Sequence, residues 1–301
     1  MKVGVVIVNY NTASLCLKAI ETLQKASGIF PFEVTVVIVD NASCENDVQI
    51  LREMNGNGFR LLESGYNGGF GAGNNIGIRF LLDSENVNYI LLLNSDAYFH
   101  DPMLLSRMVS AMEADTSLGL LGPHTQYPSG ETQITIGTFP RPLWKRLMGR
   151  LWSRSTPNIR SPYDSAVDYV EVVSAVCLLL RATTLQQIGL FDEAFFMYFE
   201  EVELAMRAHA KRWKTGYLSI SGVTHLGKTS SRKANLKVIW HNRVGRCYTL
   251  YKHGHRGMAL IEMKLLSCLF ALAQFRDPWI RSVGSNWFAA EFRRRITFLA
   301  S

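Results

Sequence analysis

"KVGVVIVNYN" (residues 2–11) is a run of small and β-branched apolar residues that stops abruptly at Asn9, Tyr10 and Asn11. Continuous apolarity over this length reads as a strand covered on both faces, since a half-exposed strand would alternate. The next residues, NTAS, offer helix N-caps, and Leu15, Ala19, Ile20 and Leu23 follow at helical spacing. "EVTVVIVDN" (residues 33–41) repeats the strand pattern, followed by a polar helix near 45–55 and a short strand at "FRLLES" (residues 59–64). A helix through about residue 83 leads into another buried strand, "VNYILLLNSDA" (residues 87–97). Strands alternating with helices predict an α/β fold with a mostly parallel central sheet flanked by helices, in which ligands bind at the carboxyl ends of the strands. That rule selects Asn9, Tyr10 and Asn11, then Asp40 and Asn41, then Asn67 onward, then Asn94, Ser95 and Asp96.

The chain has 301 residues, 48% of them hydrophobic, enough for one large domain or a domain with an appendage. Its five cysteines, at 16, 44, 177, 247 and 268, form no C-x-x-C pair, which argues against a disulfide framework or zinc site and fits a reducing compartment. The opening apolar run is too short for a signal peptide and ends in polar residues. Charge is lopsided: residues 1–140 hold 7 Lys and Arg against 14 Asp and Glu, residues 141–301 hold 25 against 11. No acidic residue occurs between Leu226 and Ile261. The basic half suggests an anionic partner, and nucleic acid, a diphosphate and anionic lipid share that chemistry. The acidic first half and the lack of a recognised binding motif count against nucleic acid.

"YNGGFGAGNNIGIRF" (residues 66–80) invites a phosphate-loop reading and fails its tests. A dinucleotide fingerprint beginning at Gly69 would need glycine at 74, which is Asn, and one beginning at Gly71 would need it at 76, which is Ile. No Lys-Ser/Thr follows, so it is not a P-loop. A glycine-rich turn opening a helix remains, able to approach a ligand closely or simply to reverse the chain. Asp96, on the ligand edge, suits a divalent cation bound to a diphosphate, and Asp40 suits a base or ribose; either also suits a helix N-cap. "FFMYFEEVELAMR" (residues 195–207) places Glu200, Glu201 and Glu203 at a helix start behind aromatic residues. Crowded carboxylates there suit a general base, or merely a helix dipole. His225 follows a strand and suits a metal or phosphate, or a structural role.

Taken together these pieces resemble the inverting glycosyltransferases of family 2, with the GT-A fold, and their rhamnosyltransferase-like branch. The resemblance covers about residues 1–255 in order. "VVIVNYN" is similar to the family's opening strand, with Val8 and Tyr10 at the donor, and "VDNAS" to the segment whose Asp, here Asp40, contacts the nucleotide base. "NGGFGAGNNIG" is similar to a segment carried by Asn67, Gly69, Asn75 and Gly77. "NSDA", through Asn94, Ser95 and Asp96, takes the place of the D-x-D-type metal motif with one retained carboxylate. "FDEAFFMYFEEVEL" resembles the branch's FDE-x-FF-x-Y-x-ED-x-D-L pattern, with Glu200-Glu201 where the branch has Glu-Asp. The resemblance implies Glu201 as general base by position with Glu200 as its rival, and Asp96 with His225 at a Mg²⁺ or Mn²⁺ ion.

The same resemblance implies a nucleotide-diphosphate sugar donor (dTDP or UDP, rhamnose favoured) and a glycan or lipid-linked acceptor in cell-surface polysaccharide biosynthesis. It also implies a catalytic domain over 1–225, with a nucleotide-sugar half at 1–125 and an acceptor half at 126–225. The basic helical region at 226–301 and a basic stripe built on Trp144, Leu147, Met148, Leu151 and Trp152 suit peripheral attachment to an anionic membrane on its cytoplasmic face. The C-terminal Trp279, Trp287, Phe288, Phe292 and Arg triplet suit the same attachment, with core packing or homodimer contacts as the alternative. The segment 258–275 is apolar but too short and too charged for a spanning helix. A nucleotidyltransferase would need basic residues and glycines right after the first strand, which "NYNTASL" lacks; a non-catalytic nucleotide-sugar-binding homologue is the other alternative.

Overall fold

A computed structural model describes residues 1–27, 30–141, 167–227, 236–273 and 278–300. The basic stripe at 144–152 and the basic residues Lys228, Arg232 and Lys233 lie outside the described residues. The chain forms two compact units: Met1–Thr138, Pro157–Phe191 and Glu201–Gly227 in the first, Phe139–Thr156, Asp192–Glu200 and Lys228–Ser301 in the second. The second unit therefore draws two earlier segments, one ending at Glu200, into the helical region expected at 226–301.

The first unit is built on a mixed, mostly parallel sheet. Its leading strands are β1 (Lys2–Asn9), β2 (Glu33–Asp40), β3 (Arg60–Glu63) and β4 (Tyr89–Leu93), paired in the order β3-β2-β1-β4, all parallel. Helices α1 (Ala13–Ser27), α2 (Glu45–Met54) and α3 (Gly69–Ser84) make the crossovers. The β1–β2 register pairs Asn9 with Asp40, so burying the apolar runs in register also sets these two polar residues side by side. The sheet continues through β11 (Cys177–Arg181), β6 (Leu118–Gln126), β12 (Lys214–His225) and β5 (Ala97–Phe99), with α4 (Leu104–Ala114), α5 (Ala182–Ile188) and α6 (Glu200–Ala210) in the intervening chain. Strand β11 runs antiparallel to both β4 and β6. The run at 167–181, which reads as one strand, divides into β9 (Val167–Val170), β10 (Val172–Val173) and β11. Strand β9 pairs with β12 in the main sheet, whereas β10 joins β8 (Ile136–Gly137) in a two-stranded sheet. Apolarity alone does not reveal a change of partner sheet, because each piece is half-buried or buried.

The glycines of residues 66–80 have a packing reason. A Cβ on Gly77 would lie 2.6 Å from a Val6 methyl, and one on Gly73 would lie 2.9 Å from a Val8 methyl. Helix α3 thus rests directly on β1 and β2. Gly69, at φ +88, adopts the left-handed conformation that starts the helix.

The second unit is helical: α7 (Leu236–Lys252), α8 (Arg256–Ala273), α9 (Pro278–Val283) and α10 (Trp287–Ala300). Its core joins Phe195, Trp240, Tyr248, Phe270, Phe288 and Phe292. Trp240 meets Phe270 and Phe288 edge-on at 4.9 and 5.6 Å. Phe288 and Phe292, expected at a membrane surface, are core residues instead: their periodicity is that of any amphipathic helix, and burial is decided by what α10 packs against. Among the described residues no helix is long and apolar enough to cross a membrane.

Close helix–sheet packing predicts opposite outcomes at two glycines. Gly77→Ala should lower the unfolding free energy by about 1–2 kcal/mol, since overpacking outweighs the roughly 1 kcal/mol gain in helix propensity. Gly257→Ala, where a Cβ meets nothing within 4 Å, should leave stability unchanged or slightly raised in the same denaturant titration.

Candidate active site

The carboxyl ends of β1, β2 and β4 carry a connected polar network. Asn9 is fully buried at the end of β1. Its Nδ2 donates to Asp40 Oδ1 (2.8 Å) and Asp47 Oδ2 (2.8 Å) and lies 3.0 Å from Ser43 Oγ. Its Oδ1 accepts from the Thr12 N–H and hydroxyl, both at 3.0 Å. Thr12 Oγ1 is in turn 3.1 Å from Ser95 Oγ, tying the end of β1 to the segment after β4. Asp40 also accepts from the Ser43 N–H at 3.1 Å. Asn11 (φ 57) and Ala42 (φ 60) are left-handed without being glycine, so the β1 and β2 ends both hold strained backbone, as ligand-facing loops commonly do. Tyr10, half-exposed, stands free at this edge.

Asn41 performs the equivalent service for the glycine-rich turn. Its Nδ2 donates to Asn67 Oδ1 (3.0 Å) and to the Gly69 carbonyl (3.1 Å), and Asn67 Oδ1 also accepts from the Gly69 N–H at 3.0 Å. Two residues expected at the donor have other work. Asn75 is buried and exchanges two hydrogen bonds with the Phe191 backbone, at 2.9 and 3.0 Å, fixing the chain that leads into Asp192. Val8 is half-buried with its methyls against Gly73. In both cases a residue near the ligand edge is turned to the opposite side by strand and helix periodicity.

Asp96 and His225 are brought together. Asn94 turns the chain after β4, its N–H donating to the Val176 carbonyl (2.9 Å) and its carbonyl accepting from the Ala97 N–H (3.0 Å). Asp96 then lies beside the end of β12, where its carbonyl accepts from the Leu226 N–H and its Oδ1 lies 3.0 Å from His225 Nε2. His225 Nδ1 lies 2.9 Å from Gln133 Oε1, a partner that orients the ring. A carboxylate and an imidazole nitrogen converging on one point, with the other ring nitrogen held, is a donor set that fits a divalent cation. Among the described residues no group of three or more His, Cys, Asp or Glu side chains is placed to hold a metal, so further ligands would be diphosphate oxygens and water.

The three glutamates separate. Glu203 is fully buried and paired with Arg207, whose Nε lies 2.9 and 3.0 Å from its two oxygens, while Arg207 also caps the Gly189 and Leu190 carbonyls. It is a structural ion pair and leaves the expected carboxylate crowd. Glu200 is buried. In its unit Arg295, fully buried over the Phe195 ring, has its guanidinium pushed below its ordinary value by burial, while Glu291 and Glu200 act to keep it charged. Glu201 is half-buried. Two successive left-handed residues, Tyr198 (φ 64) and Phe199 (φ 77), set up the start of α6. Helix α7 makes room for that turn at Gly245, where a Cβ would come within 2.8 Å of Phe199. Asp192 anchors the preceding loop through the Tyr248 hydroxyl (2.9 Å) and Lys252 Nζ (2.6 Å).

A profile of Glycosyl transferase family 2 matches residues 4–164, more than half of the chain. The chain belongs to glycosyltransferase family 2. The enzyme is 27% identical over 227 residues to the low-salt glycan biosynthesis hexosyltransferase Agl10 of Haloferax volcanii, covering 74% of this chain and 66% of that protein. It is 27% identical over 205 residues to an N-acetylglucosaminyl-diphospho-decaprenol L-rhamnosyltransferase of Mycobacterium tuberculosis, covering 64% and 66%. The chain thus spans just under two thirds of each relative's length. Its fold is that of the GT-A glycosyltransferases: a mannosyltransferase of Pyrobaculum calidifontis aligns over 98% of this chain and 86% of its own (TM-score 0.53, 14% identity). S. aureus TarS 1-349 aligns over 99% and 90% (TM-score 0.52, 15% identity). These findings set aside the nucleotidyltransferase alternative and support a working transferase over a non-catalytic homologue.

Of the network, Asn9 and Asn41 are visible as strand-end polar residues without an assigned role, whereas Asp47 and Gln133 carry no sequence signal; Arg295, expected with its triplet at a membrane surface, is fully buried and paired with Glu291 instead. Asn9→Ala should cost at least about 2 kcal/mol in denaturant unfolding, because it strands buried carboxylate oxygens without their shared donor.

Proposed function

We propose that this glycosyltransferase moves a hexosyl group, L-rhamnose first among candidates, from a dTDP- or UDP-linked donor to a hydroxyl of a glycan or lipid-linked acceptor, with inversion at the anomeric carbon. One observation carries the reading most directly: Asp96 Oδ1 and His225 Nε2 converge at 3.0 Å on the ligand edge of the sheet. Asp40, held by Asn9 and Ser43, faces the base or ribose, with Tyr10 free to stack beside it. Asn67, Gly69, Ser95 and the Asn94 turn line the same edge. A bound Mg²⁺ or Mn²⁺ at Asp96 and His225 supplies Lewis-acid neutralisation of the charge left on the nucleoside diphosphate. The donor residues fall in 1–125 except His225, which joins Asp96 from the second half, and Glu201 falls in 126–225, the half assigned to the acceptor.

Glu201 takes the proton from the acceptor hydroxyl as that oxygen bonds to the anomeric carbon and the bond to the diphosphate oxygen breaks. Glu201 is favoured over Glu200 because Glu200 is buried within reach of the charge of Arg295, whereas Glu201 is only partly buried, with its Oε2 enclosed. The Mycobacterium relative is named for a decaprenol-linked acceptor and the Haloferax relative for glycan biosynthesis. A lipid-linked acceptor places the enzyme on the cytoplasmic membrane surface as a peripheral protein.

Glu201→Gln should cut sugar transfer by at least about 100-fold while donor binding persists; turnover near that of the parent enzyme in this variant removes Glu201 from the mechanism. Asp96→Ala should weaken both Mn²⁺ and donor binding in calorimetry run with and without the ion, and equal donor affinity in the two runs would take the metal away from Asp96.

A further inference from the structure

The outer face of α8 is apolar and open. Ile261, Leu265, Leu269 and Leu272 are 68, 55, 44 and 65% exposed. At about 100° per residue they fall within an arc of about 80°, one stripe along the helix. The far side is accounted for, with Ala259 and Phe270 in the core, and at the edge of the stripe Glu262 is buried against Arg246 at 2.7 Å. A stripe of this kind is rarely left in water. Exposed Lys264 borders it.

Charge selects the occupant. The second unit holds 19 Lys and Arg against 6 Asp and Glu in sequence. Most of its acids are turned inward: Asp192 onto Lys252, Glu262 onto Arg246, Glu291 onto Arg294 and Arg295, and Glu200 buried. Among the described residues of this unit, Arg256, Lys264, Arg293 and Arg294 face outward together with the apolar stripe. A second copy would set two such basic surfaces against each other, whereas an anionic lipid leaflet offers negative headgroups over an apolar layer.

We infer that the α8 face is the surface by which this unit docks on an anionic membrane, lying in the interface with its leucines in the acyl boundary. The inference rests on the peripheral location proposed above and identifies the surface responsible. The exposed pair Phe298 and Leu299, one turn beyond exposed Arg293 and Arg294 on α10, has the same mixed chemistry.

Flotation of the full chain with vesicles of mixed phosphatidylglycerol and phosphatidylcholine tests it. The parent protein should float with these vesicles, more weakly with phosphatidylcholine alone and in high salt, where headgroup attraction is screened. The double variant Leu265→Glu/Leu272→Glu should lose at least about tenfold in partition with an unchanged melting temperature. Leu272→Trp should still float and its emission should shift to the blue on adding vesicles. A double variant that floats as well as the parent overturns the role of α8 and leaves the peripheral location standing. A parent that does not float removes both, while transfer to a water-soluble acceptor still judges the enzymatic reading. A parent that sediments as a dimer, with the double variant monomeric and flotation unaltered, assigns the face to a second copy. A large drop in melting temperature assigns it to the chain's own packing. Either of these last results also overturns the inference.

Discussion

The buried carboxamide of Asn9 is the interaction on which the ligand edge depends. It sits where β1 ends, opposite Asp40 in the parallel register, and it reaches Asp40, Ser43 and Asp47 with its amide nitrogen while its oxygen receives Thr12. Two carboxylates this close would repel unless a donor lay between them. With the donor in place, their charge is usable at the ligand edge and the left-handed turns at Asn11 and Ala42 are held. Thr12 then passes the constraint to Ser95, next to Asp96. The residues proposed for the donor and for the metal thus share one scaffold of hydrogen bonds, those out of water being the stronger.

A second arrangement leads into the proposed acceptor side. The chain from Phe191 to Glu200 is held at its start by groups outside the carboxylate pair: Asn75 grips the Phe191 backbone, and Asp192 is anchored by Tyr248 and Lys252. Further along, Tyr198 and Phe199 are left-handed under a helix that only a glycine at 245 allows so near. Stored backbone strain at the entry to Glu200 and Glu201 is what a site needs when two adjacent carboxylates must be given different environments. Three basic residues of the C-terminal region, Lys252, Arg246 and Arg295, are likewise committed to internal acids.

Sequence patterns misled where a residue's type fits two jobs. The glycines at 73 and 77 suggested close approach of a ligand, and the approach is real, but it is made by Val6 and Val8 of β1. Asn75 has the polarity of a donor contact and is turned into the protein by the helix period. Glu203 shares its helix with Glu201 yet faces Arg207, one turn on. Phe288 and Phe292 look like surface anchors in a basic tail and are core, while the apolar face left open belongs to the helix that reads as too short and too charged to span a membrane.

The sequence by itself determined the α/β alternation, the parallel leading strands, the polar strand ends and the place of Asp40, Asp96 and Glu201 along the chain. Each of these follows from local rules: apolar runs, caps and the order in which strands end. Tertiary structure alone decided that Asp96 would meet His225, that Gln133, 92 residues from that histidine, would orient its ring, and that β11 would run antiparallel between β4 and β6. It alone divided one glutamate from another by burial. Such pairings join residues far apart in the chain, and local propensity carries no information about a partner that only folding brings within 3 Å.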